Sequence, residues 1–536
     1  MTSSSNGSQQ HAVTETQHSA HDEINALVSG VQWSKEDGAP LVLTYSFPWA
    51  AGAASFDSSY STSTEQAQGI ALSAMQQAAV RGALAAWSSV ANIQFVEVAD
   101  SAASVGDMRF ASTSAKGLGA AGWGYYPSAY WTNGGDVWIS NDTSERAKTA
   151  EYWKAGGEGF SLLMHEVGHA LGLKHGFEDE VQLPEAMDNR QYTVMAYDVH
   201  PNGISGAMTA TANGYQYSYS YMAPETLMAL DIATVQHMYG ANNSFQAGNN
   251  VYSFDPAHTT LKTIWDAGGV DTLDVSLFSR SVTLDLAPGA YSSLPGVVDA
   301  KDWKIAVPLT YGKDNLAIAY GTTIENATGG SADDKLFGNN VDNQLKGGAG
   351  NDYLDGRGGL DTAVFSGVRA SYNISIQSDD SVRVTDTRAN KDGSDLLVNV
   401  ERAQFADGKV AFDLDGNAGF VAKLIGAIYG ADSVKNPSLV GLGLSYVDNG
   451  VSFEQLTQAA LNDRLGANYS NQECVNLLYQ NLTGEAAPAG DMAYWQSAIQ
   501  GGSLSTEGLA QIAFAHSANV LNIDLAGLQH DGVAYL

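Results

Sequence analysis

The sequence is poor in the features that mark several common protein classes. It has one cysteine, Cys474, among 536 residues, so no internal disulfide can form and the chain is unlike disulfide-stapled secreted domains. It has 26 basic residues against 58 acidic ones, and the resulting net charge of −32 repels nucleic-acid phosphates and anionic membranes. No apolar run is long enough to span a bilayer. We therefore expect no nucleic-acid partner and no membrane span.

The first residues lack a recognisable targeting signal. Segment 1–23 is polar, without the basic and apolar regions of a Sec signal peptide and without periodicity, which predicts a disordered leader or a propeptide. Proline occurs 12 times and glycine 57 times, which favours glycine turns within ordered structure. The acidic excess suits Ca²⁺, whose ligands are mostly carboxylate and carbonyl oxygens. Acidity that serves only solubility is the alternative.

Three histidines share a metal-compatible register in HEVGHALGLKH, the pattern H-E-x-x-H-x-x-G-x-x-H. His165 and His169 lie one helical turn apart, so both imidazoles can reach one ion. Gly172 permits a left-handed turn that brings His175 round as a third ligand and leaves a position open for water. Glu166 can act on that water. The pattern predicts one catalytic Zn²⁺ with Glu166 as general base, against the alternative of unrelated core or surface histidines.

A methionine turn supports the zinc motif. About twenty residues after His175 the sequence reads TVMAY (193–197), and the long zinc motif followed by such a turn is the metzincin signature. We expect Met195 to form an apolar floor beneath the histidines. Tyr197 could reach the metal or the oxyanion of the reaction, although a tyrosine without such a role is the alternative in a chain that has 25 of them.

A repeat of nine residues begins at residue 329, with copies GGSADDKLF, GNNVDNQLK, GGAGNDYLD and GRGGLDTAV. The pattern G-G-x-G-x-D-x-U-x predicts stacked turns that share Ca²⁺, each followed by a short strand with an inward apolar residue. Leu336, Leu345 and Leu354 take that inward position, and Asn343 breaks the acidic pattern and is expected to weaken one site. The predicted calcium ligands in these turns are Asp334, Gly347, Ala349, Asn351, Asp352, Gly356, Gly358 and Asp361. Plain glycine loops are the alternative.

Several bound Ca²⁺ ions would explain the missing signal peptide. Without Ca²⁺ the carboxylates in the turns repel one another, so the repeats should be unfolded in a calcium-poor cytosol and fold outside the cell. We therefore expect a secreted, extracellular protein.

The chain is too long for one ordinary core, and changes in its texture predict a multidomain protein. Strands at 41–47, 93–98, 107–111 and 135–140 and helices at 65–91, 158–175 and 223–240 indicate an α+β metzincin catalytic domain. The predicted segments are a leader at 1–23, the catalytic domain at 24–245, a parallel calcium-binding β-roll of nonapeptide repeats at 246–370, a β-rich connection at 371–416 and a mainly helical domain at 417–536.

These motifs resemble the serralysins, bacterial metzincin proteases with a C-terminal calcium-binding β-roll of RTX repeats. Besides HEVGHALGLKH, TVMAY and the repeats, the resemblance is carried by APETLMALDIATVQHMYGAN and IWDAGGVDTLDVS. It covers roughly residues 24–370 and implies a zinc endopeptidase that acts on protein or peptide substrates. It also implies that Tyr197 is a further zinc ligand, which swings away to stabilise the tetrahedral intermediate. A further calcium site at Asp266, Gly268 and Asp271 follows, as does export by a type I secretion machinery that reads a C-terminal signal.

The sequence also departs from that family. Gly176 follows the third histidine where the family commonly has proline, and about 120 residues of helical texture follow where the family usually ends. This tail resembles a helical domain of uncharacterised function appended to other repeat-containing secreted proteins. Segment 134–140 is either an edge strand that pairs with an extended peptide or an internal strand.

Two other readings of the sequence compete with a serralysin. A non-catalytic binding or cell-surface protein is disfavoured by the intact Glu166 and the three histidines. A zincin outside the serralysins is disfavoured by the repeats and the lack of disulfides.

Overall fold

The computed structural model describes residues 11–50, 52–101, 104–115, 120–141, 143–211, 214–295, 312–389 and 391–536. The chain divides into two compact units. The first runs to Thr272 and includes Leu284–Ile324, and the second comprises Leu273–Thr283 and Glu325–Leu536. No described helix is long and apolar enough to cross a membrane.

The elements up to residue 240 mix short strands with helices of four to seventeen residues. They are β1 (Val13–Glu15), α1 (Asp22–Asn25), β2 (Val31–Trp33), β3 (Leu41–Ser46), β4 (Gly69–Ile70), α2 (Ala74–Val90), β5 (Ile93–Glu97), β6 (Met108–Thr113), β7 (Gly122–Gly124), β8 (Val137–Ser140), α3 (Ala150–Trp153), α4 (Glu158–Leu171), β9 (Ile204–Thr211), β10 (Gly214–Tyr221) and α5 (Ala229–Tyr239).

One mixed sheet organises this part of the chain, with strand order β5-β3-β6-β8-β7. β3 pairs in parallel with both β5 and β6, and β6 pairs in parallel with β8. β7 runs antiparallel to β8 at the edge of the sheet, and β4 pairs antiparallel with β6. Segment 134–140 therefore contributes an internal strand, β8, and the edge position belongs to β7.

Helix α2 begins later than the predicted span 65–91 because a capping box fixes its first turn. The Ser73 hydroxyl accepts from the Gln76 amide at 3.3 Å, and the Gln76 side chain accepts from the Ser73 amide at 3.0 Å. These reciprocal bonds satisfy two amides that lack partners within the helix. Trp87, on the buried face of α2, donates its indole N–H to the carbonyl of Met164 at 3.1 Å. This bond ties α2 to α4.

Helix α4 is buried along most of its length and ends before the third histidine of the zinc motif. Gly172 ends it in a left-handed conformation, with φ of +103°. A Cβ at this position would collide with the carbonyl oxygen of Val31, so glycine is required for contact as well as for conformation. The predicted helix over 158–175 is therefore four residues shorter, and the last four residues form the exit turn.

The N-terminal segment packs against this exit turn. β1 pairs antiparallel with β2, although residues up to 23 were expected to lack regular structure. Trp33 is fully buried and donates its indole N–H to the Ala170 carbonyl at 2.8 Å. The Lys174 amide donates to the Leu27 carbonyl at 2.8 Å, and the Ser29 amide donates to the Gly172 carbonyl at 2.9 Å. Both sides of the turn after α4 are thus held by residues 27–33.

Short strands dominate from residue 251 to residue 411. They are β11 (Val251–Ser253), β12 (Lys262–Ile264), β13 (Thr272–Asp274), β14 (Thr283–Asp285), β15 (Tyr291–Ser292), β16 (Leu316–Ile318), β17 (Asn326–Thr328), β18 (Lys335–Phe337), β19 (Gln344–Lys346), β20 (Tyr353–Asp355), β21 (Thr362–Val364), β22 (Tyr372–Ile376), β23 (Val382–Asp386), β24 (Ser394–Val398), β25 (Arg402–Phe405) and β26 (Gly408–Ala411).

Successive copies of the repeat supply strands to alternate sheets of the second unit. β17, β19, β21 and β25 pair in parallel in one sheet, and β18, β20 and β24 pair in parallel in another. The apolar side chains of the repeat lie between the turns, with Leu336, Leu345 and Leu354 each at most 1% exposed. The antiparallel hairpin of β22 and β23 interrupts the succession before β24 continues it.

The remainder of the second unit is mainly helical. Its elements are α6 (Asn417–Tyr429), α7 (Pro437–Asp448), α8 (Phe453–Leu465), α9 (Asn471–Thr483), α10 (Ala489–Gln500), α11 (Thr506–Ala515), α12 (Ser517–Asn522), α13 (Leu525–Asp531) and β27 (Val533–Tyr535). β27 pairs antiparallel with β26 and so returns to the sheet. Arg402 of β25 is buried and forms ion pairs with Asp413 and Asp448, the last residue of α7.

Candidate metal centre

Three imidazoles converge on one point between α4 and its exit turn. The Nε2 atoms of His165, His169 and His175 lie 3.1 to 3.2 Å from one another. All three residues are at most 9% exposed. Nitrogen atoms this close cannot all carry protons, so the arrangement is that of ligands around a shared ion.

The opposite nitrogen of each ring has an oxygen partner that fixes the tautomer. His165 Nδ1 donates to the carbonyl of Val194 at 2.8 Å, and His169 Nδ1 donates to the carbonyl of Leu173 at 2.8 Å. His175 Nδ1 instead donates to a carboxylate oxygen of Glu178 at 2.7 Å. Each Nε2 therefore presents a lone pair, which is the donor set that Zn²⁺ takes in catalytic sites with three histidines. The residues present fit the metal that the motif predicts.

Burial keeps two of these histidines neutral at physiological pH. Burial, together with the charge that neighbouring imidazoles would carry, lowers the pKa of His165 to about 4 and that of His169 to about 3. Neutral imidazole is the form that binds a metal.

Glu166 is buried beside the cluster, and no described residue forms an ion pair with it. Its side chain is 3% exposed, and burial raises its pKa to about 8. Among the described residues no group donates to its Oε2. A Cβ on Gly122 would lie 3.2 Å from the other oxygen, Oε1, so the carboxyl group faces the edge strand β7. A carboxyl group so placed can take up and release a proton at the mouth of the site.

A cleft of about 680 Å³ contains the three histidines and Glu166. β7 forms one side of it, and Gly124 passes so close to α4 that a Cβ would collide with the carbonyl oxygen of Glu166. Arg190 also lines the cleft and forms an ion pair of 3.0 Å with Glu158, the first residue of α4.

The two residues predicted from the methionine turn lie at the cluster. Met195 is fully buried, and its Sδ atom lies so near Gly168 of α4 that a Cβ there would approach it to 2.6 Å. Tyr197 is 63% exposed, with its ring centroid 4.6 Å from that of His175 and 5.9 Å from that of His165. Its ring therefore lies at the solvent-exposed edge of the cleft.

Asp266 and Asp271, the carboxylates expected to bind calcium in the first unit, both act on Tyr252. Asp266 accepts from the Tyr252 hydroxyl at 2.5 Å and from the Gly268 amide at 2.8 Å, while Asp271 accepts from the Asn250 amide at 2.7 Å. The pKa of Tyr252 is raised, mainly by burial and then by Asp266 and Asp271.

The repeat turns of the second unit stack through their sixth residues. The Asp334 amide donates to Asp352 Oδ1 and the Asn343 amide donates to Asp361 Oδ1, each at 2.8 Å. The other oxygen, Oδ2, of Asp352 and Asp361 is buried without a donor among the described residues. The other predicted ligands lie in the same stack: Gly347, Ala349, Asn351, Gly356 and Gly358.

The structure reveals four acidic positions that the sequence interpretation missed. Asp395 and Glu401 continue the two stacks, because they accept from the amides of Asp352 and Asp361 at 2.8 Å. The sequence repeat does not reveal Asp395 and Glu401, because the β22–β23 hairpin interrupts its period of nine residues. Glu178 was detectable as an acid three residues after a predicted ligand. Asp231, which caps α5 and contacts the methionine turn, leaves no signal in spacing.

A helix that carries two histidines, a left-handed exit to a third and a buried methionine beneath them define the metzincin class. Two family models match the chain, Matrixin over residues 49–204 and Peptidase M10 serralysin C terminal over residues 229–417. Together these two matches confirm the resemblance to the serralysin-type metzincin metalloproteases found in the motifs of the chain.

Curated relatives agree with this assignment. Metallopeptidase AprA of Pseudomonas marginalis is 32% identical over 59% of this chain and 64% of its own. Serralysin of Photorhabdus luminescens is 33% identical over 49% of this chain and 52% of its own. Serralysin of Proteus mirabilis is 31% identical over 56% of this chain and 60% of its own. The chain thus spans between about half and two thirds of the length of these relatives.

Proposed function

We propose that this protein is a secreted zinc endopeptidase whose metal is held by His165, His169 and His175, with Glu166 as general base. The observation that carries the proposal is the convergence of three Nε2 lone pairs beside a buried carboxyl group in one cleft. The names of the relatives, serralysin and metallopeptidase, support the same activity.

The substrate is a protein or peptide that lies extended along β7. An edge strand offers main-chain N–H and C=O groups to an extended peptide, which favours broad specificity. Gly124 lets β7 run directly over α4, so a bound peptide bond lies close to Glu166.

Glu166 transfers the protons of the reaction, and Tyr197 stabilises the negative charge that develops. Bound Zn²⁺ would lower the pKa of a water molecule and polarise the scissile carbonyl group. Glu166 takes the proton of the attacking water and delivers it to the leaving amine. Tyr197 would be a further ligand of that ion, and its hydroxyl would stabilise the oxygen on which negative charge develops.

Ca²⁺ and secretion belong to the same proposal. The stacked turns at 329–361 take several Ca²⁺ ions through Asp334, Asp352 and Asp361, and Asp266, Gly268 and Asp271 take another. The burial of unpartnered carboxylate oxygens at Asp352 and Asp361 supports this, because a cation would neutralise them. The parallel strands of the repeats form a β-roll that folds outside the cell after type I export. The segments 24–245, 246–370 and 417–536 act as catalytic, calcium-binding and helical domains.

Replacing Glu166 by alanine separates metal binding from catalysis. Glu166→Ala should retain stoichiometric zinc and lose casein hydrolysis by about 10²–10⁴-fold, the usual scale of general base catalysis. Metal content is measured by elemental analysis and hydrolysis with a labelled casein. Glu180→Ala, a change of an exposed carboxylate in the loop after His175, is the control. Unimpaired hydrolysis in Glu166→Ala would overturn the assignment, and an inactive wild type that holds zinc would favour a binding protein.

A further inference from the structure

Asp231 is a fully buried carboxylate for which the mechanism has no use. It lies in the first turn of α5, and no ion pair reaches it among the described residues. Its Oδ2 accepts from the amides of Val194 and Met228, each at 2.8 Å. Its Oδ1 accepts from the hydroxyl of Thr193 at 2.5 Å. Two of these three donors belong to the methionine turn, so Asp231 holds that turn on α5.

The direction of the hydrogen bonds favours a negative charge on Asp231. The Thr193 hydroxyl oxygen accepts from the Met195 amide at 3.0 Å, so its own hydrogen is free to point at Asp231. Two amides and one hydroxyl therefore donate to a group that is acceptor-only when ionised. Burial raises the pKa of Asp231 to about 7 against the lowering effect of these three bonds. The three donors therefore favour the charged form of Asp231, and burial opposes it.

A continuous hydrogen-bonded chain leads from this charge to a histidine of the metal cluster. Asp231 accepts from Thr193, Thr193 accepts from the Met195 amide, and the carbonyl of the same peptide group, that of Val194, accepts from His165 Nδ1. A peptide group that donates at one end and accepts at the other is polarised by both bonds. A negative charge at the far end therefore makes the Val194 carbonyl a stronger acceptor.

We infer that Asp231 is a positioning residue that orients His165 and strengthens it as a metal ligand through Thr193 and the Val194–Met195 peptide group. The inference rests on the proposed function, in which His165 holds zinc. It gives the histidines different support. The His175 imidazole donates directly to the Glu178 carboxylate, and the His169 imidazole donates to the Leu173 carbonyl. The His165 imidazole is connected to the Asp231 carboxylate through the relay.

The rate of zinc release tests the hydrogen-bonded relay from Asp231 to His165 at Thr193, where a substitution changes few atoms. Thr193→Val removes the hydroxyl and keeps the shape, whereas Thr193→Ser keeps the hydroxyl. We expect Thr193→Val to release zinc to a chelator about 10–100-fold faster than the wild type, the usual effect of losing such an outer partner. Thr193→Ser should behave like the wild type. The cobalt-substituted protein should show a changed visible spectrum in Thr193→Val alone, because that spectrum reports the ligand field of the histidines.

Asp231→Asn tests the charge, with a matched control in the same unit. It should accelerate zinc release at least as much as Thr193→Val. Asp136→Asn changes another buried carboxylate, which accepts from the Arg109 amide and the Tyr60 hydroxyl. Within the described part of the chain no histidine is hydrogen-bonded to Asp136, so this change should leave zinc release unchanged. If Asp231→Asn does not fold, the comparison of Thr193→Val with Thr193→Ser tests the inference by itself.

The outcomes separate this inference from the proposed function. Wild-type rates and spectra in folded Thr193→Val overturn the relay, even when the wild type binds zinc and cleaves casein. A wild type that takes up no zinc overturns both the relay and the proposed function. Faster release in Asp136→Asn as well would show a general effect of buried charge and would also overturn the relay.

Discussion

The carboxylate behind His175 offers a sharp test of the metal centre. Glu178 Oε1 accepts from His175 Nδ1 at 2.7 Å, whereas the Nδ1 atoms of His165 and His169 donate to backbone carbonyls. Glu178→Gln keeps an acceptor of the same shape and removes the charge. Glu178→Ala removes the acceptor as well, so the imidazole loses both its orientation and the electrostatic support of its Nε2 lone pair.

The expected loss follows from the exposure of the pair. Loss of a hydrogen-bonded partner behind a metal ligand typically costs about 10–100-fold in metal affinity. The side chain of Glu178 is 37% exposed, so solvent screens its charge. We therefore expect Glu178→Gln near the lower end, about tenfold or about 1.4 kcal/mol, and Glu178→Ala nearer to about 100-fold.

Competition for zinc with a chelator of known affinity measures both variants. Glu180→Gln is the matched control, because Glu180 is exposed in the same loop and should leave zinc affinity unchanged. Wild-type zinc affinity in Glu178→Ala would refute the reasoning, since the neighbouring charge would then have no part in holding the metal.

Three further predictions follow from the described geometry. Tyr197→Phe should lower kcat by about 10²–10³-fold in casein hydrolysis while zinc stays bound, because it removes one oxyanion donor; equal kcat would exclude that role. Gly124→Ala should lower the free energy of unfolding by about 1–3 kcal/mol in thermal denaturation, since its Cβ meets the Glu166 carbonyl; a stability equal to wild type would contradict that contact. Burial raises the pKa of Asp352 to about 7 and that of Asp361 to about 8. Without Ca²⁺ the repeats should therefore be most stable below about pH 4 and lose stability as the pH rises through about 7–8. Circular dichroism in EGTA measures this stability, and a gain in stability with rising pH would contradict the prediction.

The histidine cluster could be predicted because its geometry is local. A spacing of four residues places His165 and His169 on one helix face, and a glycine seven residues after His165 marks where the helix ends. The same logic fails for Asp231, which reaches the methionine turn only after α5 has packed. Tertiary contacts of this kind have no fixed separation in sequence.

The errors in the strands and helices have equally definite causes. The apolar pattern over 65–91 is continuous, yet the Ser73–Gln76 capping box fixes where α2 starts, and that signal was readable as S-x-x-Q. The edge strand β7 has three residues, two of them glycine, so it carries no strand pattern. In the repeats the period of nine was visible, but the hairpin before β24 hides Asp395 from any search at fixed spacing.

The return of the chain to the sheet at β27 has a consequence for solubility. Stacked parallel strands present an open row of amides and carbonyls at their last strand, which is a template for another chain. Here β26 is covered by three residues of β27, and the amide of Leu536 is taken up by the carbonyl of Pro437. The helices between β26 and β27 therefore return a three-residue strand to the end of the sheet, where β27 packs against α7.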